Sequence, residues 1–311
     1  MSRILLLLVF LLWMTGTSSK PTPRPPDGPW VDTAIFLGFY PLLIGSMGLW
    51  ARRLARRVAA SGFGRSLRRF NHMMLAARLL VPAWFGVGVF TLGWGWVVEE
   101  KVGLGSLGMV KLPGLVLGTL PAVLAWIGLW WSQYPAERAL REQHIWHQLE
   151  EGVPLHAPPR FGEYFVANLR LQVLFTLVPI LLIVAARDVA TLVFFGWHPP
   201  VAAPGPAAAH RQGVEEAFEF FSFLGAAGLV FLFAPEVLRR VLHTSPLPDG
   251  PLRRRLEALC RRTGMKYRDI LVWHTQFNMG NAAVMGVVPG VRYWICPTAP
   301  EKPMNLLPLD Q

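Results

Sequence analysis

Apolar positions along this chain come in long unbroken blocks rather than in the alternation of a half-buried strand. Five blocks, residues 31–50, 73–98, 109–131, 166–186 and 214–234, are each bounded by charged, Pro-rich or Gly-rich sequence. A hydrocarbon slab of about 30 Å needs about 20 residues at about 1.5 Å rise, so each block predicts a spanning helix. A shorter apolar run, residues 4–14, follows Arg3 and precedes Thr15-Gly16-Thr17-Ser18-Ser19. That layout fits a secretory signal peptide, and a signal anchor slightly below full span length fits it equally. Either reading makes residues 1–30 a leader or anchor plus a linker.

After residue 234 the texture changes. Pro235, Pro246, Pro248 and Pro251, with Asp249-Gly250, mark a linker. Leu252, Leu256, Leu259 and Cys260 then recur at helical spacing between arginines, and Gly264 is a natural stop, which predicts a helix over Pro251–Arg262. Runs of β-branched and aromatic residues at 269–275 and 282–288 predict two strands, and Pro289-Gly290 turns into a third at 291–295. The expected fold is an all-α polytopic membrane region of five or six spans, residues 31–240, followed by a small, incomplete α+β segment, residues 247–295, and a Pro-rich tail, 296–311. A helix and three short strands leave one sheet face without a covering layer, so partial disorder is expected there.

Composition agrees with the membrane assignment. At 53% hydrophobic and 16% charged, 311 residues do not make an ordinary soluble domain. The net charge of +11 is unevenly placed: Arg52, Arg53, Arg56, Arg57, Arg65, Arg68 and Arg69 crowd the loop after the first long block, whereas the next loop offers Glu99, Glu100 and Lys101. Short basic loops are retained in the cytoplasm, which puts the first loop, residues 137–160 and the Arg239, Arg240 and Arg253–Arg255 region inside. The C-terminal segment is therefore expected in the cytoplasm, at a plasma or inner membrane. Beside span ends, anionic inner-leaflet lipids account for such residues at about 1 kcal/mol each, so the partner this charge implies is the bilayer and not nucleic acid. Trp94, Trp96, Trp130, Trp131 and Tyr134 near span ends read as an interfacial aromatic belt.

Charged residues within apolar blocks are the usual pointers to transport. Arg170 sits at a span end, where it can snorkel. Arg187 and Asp188 read as the outer boundary of a span, with a buried functional ion pair as the other reading, and Glu215, Glu216 and Glu219 read as acidic residues at a helix N-terminus. His144 and His147, with Glu150 and Glu151 nearby, could share a helix face as metal ligands, but with Trp146 and Leu149 they describe an amphipathic interfacial helix better. Cys260 and Cys296 have neither zinc-site nor redox spacing, and in a reducing compartment no disulfide is expected.

The terminal segment, GMKYRDILVWHTQFNMGNAAVMGVVPGVRYWI behind a helix and a set of spans, resembles the integral-membrane zinc metalloproteases of the HtpX and CAAX-prenyl-protease type. The resemblance covers residues 247–295 and rests on Gly264, the strand around Ile270, Asn281-Ala282, Gly286 and the strand opened by Arg292. It implies that Asn281 and Ala282 help hold a peptide or protein substrate's backbone beside the zinc site. Read alone, the same pair is equally a turn Asn before an ordinary strand. The chain departs from the family after Ile295, because no HExxH and no later Glu ligand follow, and four prolines in the last fifteen residues forbid a catalytic helix. Zinc belongs to the complete family enzyme, and none is expected for this chain, which reads as a truncated or frame-shifted product or an inactive paralogue. A non-catalytic membrane scaffold and a transporter are the other classes this sequence allows.

Overall fold

The structure is a computed structural model and describes residues 2–18, 23–58, 63–107, 110–150, 160–195, 206–242, 244–273, 283–286 and 288–297. Contacts divide the chain into two units, Met1–Ser222 and Phe223–Gln311. Among the described residues five helices are long and apolar enough to cross a membrane: Pro29–Arg57, Leu67–Phe90, Leu112–Glu142, Phe161–Phe195 and Ala217–Val241. All five expected spans are present, and the architecture is that of a helical membrane protein.

The first unit is a helix bundle. It comprises α1 (Ser2–Ser18), α2 (Pro29–Val58), α3 (Phe63–Phe90), the short α4 (Trp94–Trp96), α5 (Leu112–Glu150), α6 (Phe161–Asn168), a wide π-helical turn over Leu169–Leu174, and α7 (Phe175–Phe195). The 4–14 run forms a helix that packs into the core: Leu5, Leu6, Val9, Phe10 and Trp13 are buried beside Phe36, Val81, Phe85 and Leu115. In lipid there is little hydrophobic drive between helices, so close approach and dispersion must hold them. Gly118 shows how this is met, since a Cβ there would overlap the Trp13 indole. Trp94 Nε1 donates to the Gly118 carbonyl at 2.8 Å, which secures the same contact from a third helix.

Three sequence expectations change in this unit. The second block does not run to residue 98: α3 ends at Phe90, and Gly93 at φ 68 turns the chain into α4. The segment after residue 131 is no separate interfacial helix, because α5 continues unbroken to Glu150 over 39 residues. At about 1.5 Å per residue it outreaches the hydrocarbon slab. The aromatic belt is only partial. Trp94 and Trp130 lie in the core, at 8% and 1% exposure, while Trp131 points outward.

Helix α8 (Pro206–Val241) crosses from one unit to the other, and Pro235 lies inside it rather than beginning a linker. The second unit then adds β1 (Thr244–Pro246), α9 (Pro251–Arg262), β2 (Asp269–Trp273), β3 (Ala283–Met285), a 3-10 turn at Pro289–Val291 and β4 (Tyr293–Pro297). The helix has its expected ends, with Gly264 at φ 65 after it. The sheet order is β1-β2-β4-β3, with β2 parallel to β4 and the other two pairs antiparallel. Strand β1 was not expected, and β4 extends through Cys296 and Pro297, where Cys296 pairs with Val272.

Alternation along β2 and β4 gives the sheet two buried faces. Ile270, Val272, Trp294 and Cys296 cluster with Leu256 of α9 and with Leu247. Leu271, Tyr293 and Ile295, on the other face, are also buried, and the Tyr293 hydroxyl reaches Glu236 of α8 at 2.6 Å. The layer that the sequence reading found missing is thus supplied, at Tyr293, by the end of the last spanning helix.

Candidate functional site

Asn281 and Ala282 lie outside the described residues, but β3 begins at the next position. It pairs Ala283 with Ile295, Val284 with Trp294 and Met285 with Tyr293, and it is the last strand of the sheet. Among the described residues its outer side meets no strand. An edge strand of this kind presents unpaired N–H and C=O groups to any extended chain beside it.

Two features hold that edge in place. Gly286 follows β3 at φ 108, and a Cβ there would run into the Val291 carbonyl and Arg292 Cα, so the chain can turn back here only as glycine. The Arg292 guanidinium donates to the carbonyls of Gly286 at 3.2 Å and Lys266 at 3.4 Å, and the Arg268 N–H donates to the Arg292 carbonyl at 2.7 Å. One arginine therefore ties the end of the edge strand to the approach of β2.

Behind β4 a charged cluster surrounds Tyr293. Glu236 accepts its hydroxyl proton and pairs with Arg239 at 3.0 Å, Arg240 at 3.2 Å and Arg268 at 3.5 Å. The Arg239 and Arg268 guanidinium groups also lie over the Tyr293 ring, at 5.4 and 5.8 Å from its centroid. Burial first, and then the hydrogen bond to Glu236, push the Tyr293 phenol above its ordinary value. It stays a donor at neutral pH, and its role is to fasten the sheet to α8. Sequence reasoning passed over Glu236. The available signal was a lone acid beside Pro235 in an otherwise basic span end.

On the other face, Arg253 of α9 pairs with Glu257 and Asp269, both at 3.1 Å, and donates to the Leu247 carbonyl, which aligns the helix with β2. Cys260 and Cys296 are free and buried, and burial raises both thiols, which keeps them protonated and unreactive at neutral pH.

The second place singled out by sequence is Arg187-Asp188. Helix α7 runs through these residues to Phe195, and both are buried. Asp188 Oδ2 accepts the backbone N–H groups of Lys111 at 2.9 Å and Leu112 at 2.7 Å, the first-turn donors that a helix start leaves without internal partners. Arg187 pairs with Asp188 at 3.1 Å and Glu219 at 2.6 Å. Glu219 lies well inside α8, which starts at Pro206, so an ion pair and not the helix dipole accounts for it. The pair is an inter-helix latch whose members satisfy one another.

No ligand set for zinc forms among the described residues, where no three His, Cys, Asp or Glu side chains come together. The side chains of His144, His147 and Glu150, and all of Glu151, lie outside them. Comparison of the chain with protein families, with curated proteins and with solved structures finds no match.

Proposed function

We propose that this chain is a membrane-embedded relative of zinc metalloendopeptidases of the HtpX and CAAX-prenyl-protease type that carries the peptide-holding strand without the zinc-binding helix. The observation that supports this most is the position of β3: it directly follows Asn281-Ala282 and forms the sheet's edge, antiparallel to β4. On this reading an extended peptide adds to that edge by backbone hydrogen bonds, the Asn281 amide supplies a further contact and the small Ala282 permits close approach. No HExxH lies within these 311 residues, so the activity proposed for them is peptide binding. The reading puts the terminal segment in the cytoplasm, and the arginine-rich short loops support it, because such loops are retained there.

The test is to read the coding DNA through and beyond the codon for Ile295 in all three frames. An HExxH with a later Glu, in register with β4, is the expected result. Its absence from every frame overturns the truncated-product reading and leaves a zinc-free paralogue or an unrelated membrane protein. The buried charges of α7 are consumed in a latch between helices, which favours a peptide-holding scaffold over a transporter as the alternative.

A further inference from the structure

Between α2 and α5 lies a cavity of about 450 Å³, within the range of about 300–1,000 Å³ usual for small-molecule sites. Its walls are apolar and aromatic, including Gly45, Gly48, Trp131, Tyr134 and Phe161, and among the described lining residues the charged one is Arg52. No described lining residue is acidic, and Arg52 is exposed and makes no ion pair among the described residues.

The groove has a direction. Gly45, Gly48 and Arg52 follow one another along α2, and Gly45 to Arg52 spans about 10 Å at about 1.5 Å per residue. The two helices touch at Gly48, where a Cβ would sit 3.5 Å from Ser132 Cβ, whereas a Cβ on Gly45 would meet nothing within 4 Å. Trp131, 63% exposed, walls the opposite side. An apolar channel thus leads from within the span to a guanidinium at its end, and Arg56, one turn farther along α2, is exposed as well.

We infer that this groove binds one anionic glycerophospholipid, an acyl chain lying over Gly45 and Gly48 and the phosphate meeting Arg52. The chemistry selects this occupant. A chain of methylenes matches the walls, a phosphate matches the exposed arginine through bidentate hydrogen bonds, and the bilayer around a spanning helix supplies both. Electrostatics at the membrane surface alone would spread over every arginine of the loop; a groove ending in one of them makes the attraction local. The inference does not depend on the peptidase reading.

The experiment titrates the full chain in mild detergent with phosphatidylglycerol or phosphatidylcholine and counts bound lipid by native mass spectrometry. One tightly held phosphatidylglycerol per chain is expected, with phosphatidylcholine weaker. Arg52→Gln should weaken phosphatidylglycerol about five-fold, by the usual contribution of one arginine at an anionic surface, and leave phosphatidylcholine unchanged. Arg69→Gln removes the same charge from the same basic loop but lies on α3, and should change the affinity less than about two-fold. Gly45→Leu places a side chain in open space and improves helix propensity, so the bundle is preserved while the tight site is lost. Equal losses for Arg52→Gln and Arg69→Gln, equal binding of the two lipids by the unaltered chain, or undiminished tight binding in Gly45→Leu would each overturn the assignment. So would a co-purifying peptide that Gly45→Leu displaces and phosphatidylglycerol does not.

Discussion

Replacing Asp188 by alanine tests whether the buried charges of α7 serve structure. The carboxylate, 6% exposed, accepts two N–H groups at the start of α5 and faces Arg187. Without it, two first-turn donors lose their acceptor away from water, and Arg187 retains Glu219 as a carboxylate partner. An unsatisfied buried group costs about 1–3 kcal/mol, and breaking a buried charge pair costs about 3–5 kcal/mol. Because Glu219 limits the second cost, the expected loss is about 3–5 kcal/mol in all. At about 2–4 °C per kcal/mol for a unit of this size, the unfolding midpoint should fall by about 6–20 °C. Asp188→Asn keeps a carbonyl oxygen able to accept from the same donors and loses only the charge, so its loss should be about 1–2 kcal/mol. The assay is thermal unfolding of the full chain in mild detergent, followed by tryptophan fluorescence. An Asp188→Ala midpoint within about 2 °C of the unaltered chain would refute the latch, since that corresponds to no more than about 1 kcal/mol.

Gly118→Leu should eject Trp13 from the core and cost about 1–3 kcal/mol or more by overpacking, read as a lowered midpoint and faster proteolysis of the α1 end; an unchanged midpoint would mean that α1 does not pack there. Tyr293→Phe should weaken the second unit by about 1–2 kcal/mol, seen as faster amide exchange in β4 and unaltered exchange in α5. The raised Tyr293 phenol also sets a pH dependence: its contribution is complete below the ordinary tyrosine value near 10 and is lost as pH rises through the higher folded value, so alkaline loosening of β4 should be weaker in Tyr293→Phe. Arg253→Leu should speed exchange in α9 and β2 together, because this side chain joins them; exchange changing in α9 alone would show that the Asp269 pair contributes nothing.

The spans could be read along the chain because the transfer of apolar residues into hydrocarbon adds up locally: a block of sufficient length has few other destinations. The same holds for Pro251–Arg262, where a 3.6-residue pattern and the glycine after it define both ends. What needed tertiary structure depends on partners far away in sequence. Nothing near Asp188 in sequence points to its partners, Lys111 and Leu112, which lie 77 and 76 residues earlier and bring it their N–H groups. Trp94 and Trp130 match an interfacial belt by type and position, and only the packing of neighbouring helices decides that they face inward. A three-residue strand such as β1 is too short to show alternation, so its pairing with β2 is its only signature. Glu236 belongs by sequence to a basic span end, yet Tyr293, 57 residues later, makes it the anchor of the sheet. Length and periodicity of apolar runs determine which segments become helices, because those energies are local sums; the orientation of each helix and the identity of the edge strand follow from contacts that form only when distant segments meet.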